Sequence, residues 1–139
     1  MDTNEIDRFV RKECGGNFQG VFSADTLPKK PRLLICNTDP SNLPGTHWIA
    51  IFVDSRRGEY FDSFGRKPSD SFEDYMNDNC TDWTYNTRQL QSITSSYCGF
   101  YCCFYCMFRC KGYDLFRIVN MFTRDTGLND SIVRGFVCE

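Results

Sequence analysis

Near the start of the chain, Ile6, Phe9 and Val10 share one face of residues Asp2 to Cys14, while Asp2, Glu5, Asp7, Arg8 and Arg11 lie elsewhere. That 3.6-residue period predicts an amphipathic helix, stopped by Gly15 and Gly16. Gly20, Pro28 and Pro31 interrupt FQGVFSADTLPKKP, so residues 18–31 read as a connecting segment. RLLICN, residues 32–37, is short and almost wholly apolar, as a buried strand is. After the turn-rich TDPSNLPG, the run HWIAIFVD is apolar on both faces, which predicts a strand in the middle of a sheet covered on both sides. DSRRG reads as a turn and GEYFDSFG as the returning strand. Such a hairpin sets His47 and Asp62 at its open end and Asp54 at the far end, with the register open by a residue or two.

The second half predicts mainly helices. SDSFEDYMND, residues 69–78, opens on a cap-like Ser69 and spaces Phe72, Tyr75 and Met76 as a surface helix does. WTYNT reads as a further strand. A polar loop, QSITSS, then leads into an almost unbroken apolar run from Cys98 to Phe108, which reads as one buried helix with Ser95 or Ser96 as N-cap and Gly112 as its stop. YDLFRIVNMFTRD, with Leu115, Ile118, Val119 and Phe122 on one face, and LNDSIVRGFV read as two more helices. With no repeat, low-complexity tract or linker, the 139 residues are read as one domain.

Charge narrows the partners. Sixteen Lys and Arg against 18 Asp and Glu leave a net charge of −2, so the overall field does not favour a polyanion and DNA is a doubtful ligand. The apolar run from Cys98 to Phe108 falls far short of the roughly 18 residues of a membrane span, so no membrane partner is expected. The acidic start lacks the layout of a secretory signal, which predicts an intracellular protein. Nine cysteines would suggest a disulfide framework in a secreted chain. Their odd number, the missing export signal and the clustering of five between Cys98 and Cys110 instead favour small reduced hydrophobes in the core. Cys103 and Cys106 form a CxxC, but one apolar helix cannot wrap an ion and a single histidine leaves little to complete a ligand set, so no metal is expected.

One constellation can carry chemistry. A thiol is nucleophilic as thiolate, which the positive end of a helix and a neighbouring imidazole both favour. Cys98 stands at the junction of the serine-rich loop and the buried helix, and Gly99 beside it leaves room for a substrate backbone. His47, the only histidine, is the only imidazole base available. Asp62, at the end of the adjacent strand, is the best-placed carboxylate to fix its tautomer. The backbone N–H of Cys98 and the amide of Gln91 can serve a developing oxyanion. Each residue alone is weak: a histidine before a strand is more often structural, and a glutamine in a polar loop is usually just solvated. Order and spacing strengthen the set: His47-Trp48, an apolar strand, YFDSFG, then Gln91 with Cys98-Gly99 seven residues on.

With FQGVFSADTLP, ICNTD before GTHW, and LNDSIVRGFV added, that order resembles the adenain-like cysteine proteases of double-stranded DNA viruses and virus-like transposons. The resemblance runs through most of the chain. It implies an α+β, permuted papain-like core: a central mixed sheet, and the nucleophile at the N-terminus of a buried helix. It implies a thiol endopeptidase with His47, Asp62 and Cys98 as triad, Gln91 in the oxyanion hole, and Trp48 and Gly99 at the substrate. The substrates it implies are viral capsid or core precursors cut at glycine-containing sites, in host nucleus or cytoplasm and in the virion. The SUMO- and ubiquitin-like-specific isopeptidases are similar, but usually carry Asp before the nucleophile and a six-residue interval from Gln to Cys. Tyr97 and an interval of seven favour the viral branch, with deubiquitinating or deSUMOylating activity as the alternative and a non-catalytic binder of ubiquitin-like proteins as the second. No cofactor is required by the sequence. The resemblance would place the cysteine that tethers an activating peptide at Cys80, where a spare buried thiol is the competing reading.

Overall fold

The computed structural model describes residues 1–39 and 47–137. Helix α1 (Thr3–Cys14) begins in a closed capping box: Asp2 accepts the Glu5 N–H at 2.8 Å while the Glu5 carboxylate accepts the Asp2 N–H at 3.0 Å. Its buried positions are Ile6, Phe9, Val10 and Cys14, the expected stripe extended by one turn.

Five strands form one mixed sheet, ordered β1 (Gly20–Phe22), β2 (Leu33–Asn37), β3 (Trp48–Asp54), β4 (Arg57–Phe61) and β5 (Asp82–Tyr85). The two outer pairings are parallel and the two inner ones antiparallel. β1 corrects the reading of residues 18–31 as connection alone. Three residues are too few to show alternation, and the strand exists because Gly20 to Phe22 pair with Leu34 to Cys36. Ser55 and Arg56, at φ 51° and 61°, make the two-residue turn that matches the twist of a hairpin and fixes Asp54 opposite Arg57. The turn-rich TDPSNLPG lies mostly outside the described residues.

Alternation then divides the sheet between two layers. Leu33, Ile35, Ala50 and Phe61 face a core shared with α1, α3 (Cys98–Cys110), α4 (Leu115–Val119) and α5 (Thr126–Val137). Leu34, Cys36, Ile49, Ile51 and Tyr60 face a second core with Phe72 and Met76 of α2 (Asp70–Asn79). β3 is therefore covered on both faces, as its unbroken apolar run requires.

Two helix boundaries and one capping bond differ from expectation. Tyr97, not Ser95 or Ser96, occupies the N-cap position of α3, because the Ser95 hydroxyl is used inside the loop, accepting the Tyr97 N–H at 3.2 Å. Ser69 stands at the N-cap of α2 but makes no capping bond with its side chain. α4 is only five residues long, and Phe122 is buried beyond its end. The cysteines need a further correction: Cys14 and Cys110 form a disulfide. The ends of α1 and α3 pack side by side, with these two Cα atoms 5.7 Å apart, a proximity that 96 residues of separation concealed. Cys36, Cys80, Cys98, Cys102, Cys103 and Cys106 are buried and form no disulfide, and Cys138 lies outside the described residues. Among the described residues no helix is long and apolar enough to cross a membrane, and no group of three or more His, Cys, Asp or Glu is arranged to hold a metal ion.

Candidate active site

The tight turn between β3 and β4 brings their other ends together, so His47 before β3 meets Asp62 after β4. His47 Nε2 lies 2.8 Å from Asp62 Oδ1, both side chains being largely buried. Phe64 stacks on the imidazole at 4.7 Å between centroids, and the Arg66 guanidinium covers the Phe64 ring. Asp62 is itself held from three directions. Its Oδ1 accepts the Phe64 N–H at 2.8 Å, its own N–H donates to Asn86 Oδ1 at 3.0 Å, and Asn86 Nδ2 donates to its carbonyl at 2.6 Å. Sequence reading missed Asn86: it lies within WTYNT, and nothing in that pattern shows a side chain reaching 24 residues back.

Cys98 is the first residue of α3 and is 8% exposed. Its position gives it a backbone N–H that the helix cannot pair internally, and the helix's positive end favours a sulfur anion. Burial pushes the thiol's pKa up, but hydrogen bonding from His47 and from the backbone N–H groups of Trp48 and Gly99, with the imidazolium charge, brings it below the ordinary value. Burial alone would lower the pKa of His47; its bonds to Asp62 and Cys98 and their charges override this and raise it to about 9. With Nε2 engaged by Asp62, Nδ1 is the nitrogen left for the sulfur, and it is buried with no hydrogen-bond partner. The opposed shifts both favour passage of the thiol proton to the imidazole.

Gln91 is fully buried. Its Oε1 accepts from the Ser63 hydroxyl at 2.5 Å, and its Nε2 donates to the Ser95 carbonyl at 2.9 Å and to Ser95 Oγ at 3.3 Å. Trp48 opens β3 and is half-buried, and Gly99 lies beneath it. A Cβ on Gly99 would stand 3.5 Å from Trp48 Cδ1 and 3.4 Å from Ile6 Cδ1, ordinary van der Waals contact with β3 and α1. Cys80 ends α2 under the sheet, buried against Gly58 and Met76, and burial raises its thiol pKa against the opposing charge of Arg56. It packs in the core on the face of the sheet opposite α3.

The five-stranded mixed sheet with its packed helices is similar to the folds of Ulp1-like cysteine proteases, the fold class the sequence resemblance implied. Among solved structures, the ASFV pS273R protease superposes with a TM-score of 0.70 at 21% identity, covering 99% of this chain and 67% of that one. A selenomethionine crystal of the same protease gives 0.54 at 25% identity over 73% of this chain and 43% of that one. The SUMO protease Ulp1, with its catalytic cysteine oxidised to a sulfinic acid, gives 0.53 at 14% identity over 100% of this chain and 79% of that one. No protein-family profile matches the chain, and no curated protein matches it by sequence.

Proposed function

We propose that the protein is a cysteine endopeptidase with Cys98 as nucleophile, His47 as base and Asp62 as the carboxylate that orients it. The observation that carries this reading is the position of His47, bonded to Asp62 through Nε2 and coupled to Cys98 on its other side. The sulfur attacks a substrate carbonyl; the Cys98 N–H and Gln91 stabilise the oxyanion; the imidazolium gives its proton to the leaving amine. Water activated by His47 then cleaves the thioester and restores the thiol.

The substrates in this reading are proteins or peptides with glycine near the cut, the preference the adenain-like resemblance implies, which a narrow passage under Trp48 would explain by excluding larger side chains. Processing of capsid or core precursors, within infected cells and in the virion, is the setting that the adenain-like pattern supports, and the fold shared with the ASFV pS273R protease agrees with it. Likeness to Ulp1 over the whole chain supports removal of a ubiquitin-like tag as the second reading. An activating peptide tethered at Cys80 would first require that thiol to be uncovered. A thiol-reactive peptide or ubiquitin-like probe should label the wild type and not Cys98→Ala; equal labelling of both would overturn the assignment. Cleavage of a peptide panel beside ubiquitin and SUMO fusions separates the two substrate classes.

A further inference from the structure

The loop that supplies Asp62 also holds the residue proposed above for the oxyanion. Ser63, fully buried, follows Asp62 directly, and its carbonyl accepts the Leu90 N–H at 2.9 Å and the Gln91 N–H at 3.0 Å. Its hydroxyl donates to Gln91 Oε1 at 2.5 Å. One residue therefore grips Gln91 by backbone and side chain together. From the other side, the Leu90 carbonyl is held by Asn129 Nδ2 at 3.0 Å.

An amide has unlike ends, the oxygen only accepting and the nitrogen only donating. The Ser95 carbonyl accepts only, so Nε2 and not Oε1 can face it. The Ser63 hydroxyl then supplies the proton that the buried Oε1 requires. Of the two amide protons, the one directed at Ser95 Oγ, at 3.3 Å, is the more weakly held and the one for which an oxyanion can compete.

We propose that Ser63 is a positioning residue for Gln91, holding the amide oxygen so that the nitrogen, with the proton weakly held by Ser95 Oγ, is the end an oxyanion can meet, and that one two-residue step in the chain thereby sets both the acid of the triad and the oxyanion hole. This rests on Gln91 being an oxyanion donor. Without the hydroxyl, Oε1 is a buried acceptor lacking its donor and the amide turns away.

The test is a double-mutant cycle of Ser63→Ala and Gln91→Ala, read as kcat and KM on a peptide substrate, with the pH profile of iodoacetamide alkylation at Cys98 and the unfolding midpoint measured for each variant. Removing an oxyanion donor costs about a hundredfold or more, so Gln91→Ala should lower kcat by that order and Ser63→Ala by about tenfold, with KM little changed. In the Gln91→Ala background, Ser63→Ala should cost nothing further, and neither variant should move the alkylation profile. A Ser63→Ala loss of equal size in both backgrounds, or no loss in either, would overturn the positioning role while leaving Gln91 in place. An active Gln91→Ala enzyme would overturn the oxyanion assignment, and this inference with it. If Ser63→Ala does not fold, Ser63→Cys keeps a weak donor of similar size and should show a smaller loss that likewise vanishes without Gln91.

Discussion

His47 has a proton held between two acidic partners, and its behaviour follows from what surrounds each nitrogen. Asp62 at 2.8 Å fixes the ring and stabilises its charge, and Cys98 does the same from the other side. His47→Ala removes both base and counter-ion and should lower turnover by several orders of magnitude. Asp62→Ala should cost less, because the imidazole remains beside the sulfur and loses only orientation and charge support. Steady-state kinetics on one peptide substrate compares the two, and an Asp62→Ala enzyme as inactive as His47→Ala would mean that the carboxylate does more than orient. The imidazolium must donate to the leaving amine, so activity should fall as pH rises through about 9, the raised value of His47, while the thiolate persists. These residues were legible in the sequence because the single histidine and the ordered motif leave few assignments. Asn86 and Ser63 were not, since each acts through a side-chain bond spanning 24 or 28 residues, which leaves no local pattern.

At the scale of elements, the site depends on two short loops held against each other: residues 62–65 after β4 and residues 86–91 after β5. Asn86 bonds the backbone of Asp62 in both directions, and Ser63 bonds that of Leu90 and Gln91. Gly65 makes the close approach possible. It sits at φ +69°, and a Cβ there would lie 2.6 Å from the Arg88 carbonyl carbon, a backbone atom that cannot step aside. Gly65→Ala should therefore destabilise the fold by at least about 1–3 kcal/mol and reduce turnover by parting the loops. Gly112 also has positive φ, +96°, but a Cβ there meets nothing within 4 Å; Gly112→Ala should carry the backbone strain alone and leave activity intact. Denaturant unfolding with matched kinetics checks the pair, and similar activity losses in both would count against the loop contact. The long elements were legible from pattern: α1 buries the face its spacing marks, and the unbroken apolar runs became β3, covered on both faces, and the buried α3. β1 and the shortness of α4 were not, because pairing and packing decide them rather than local pattern.

Across the whole molecule, two cores on opposite faces of the sheet hold α3 and its cysteine against the strand that carries Trp48. The Cys14–Cys110 bridge joins α1 to α3 at the end of the helix farthest from the nucleophile. Closing a loop of 96 residues constrains the unfolded chain by as much as about 4–5 kcal/mol. Cys110→Ser should thus lower the unfolding temperature in oxidising buffer, and a reductant should erase the difference between variant and wild type. A wild type whose unfolding temperature ignores the reductant would exclude the bridge. The central claim, a sulfur ionised by the one imidazole, is tested most directly by the rate of iodoacetamide alkylation at Cys98 against pH, followed by mass spectrometry in wild type and His47→Ala. The account predicts a wild-type midpoint below the ordinary thiol value and an upward shift when the imidazole is removed; an ordinary midpoint that the substitution leaves unchanged would contradict it.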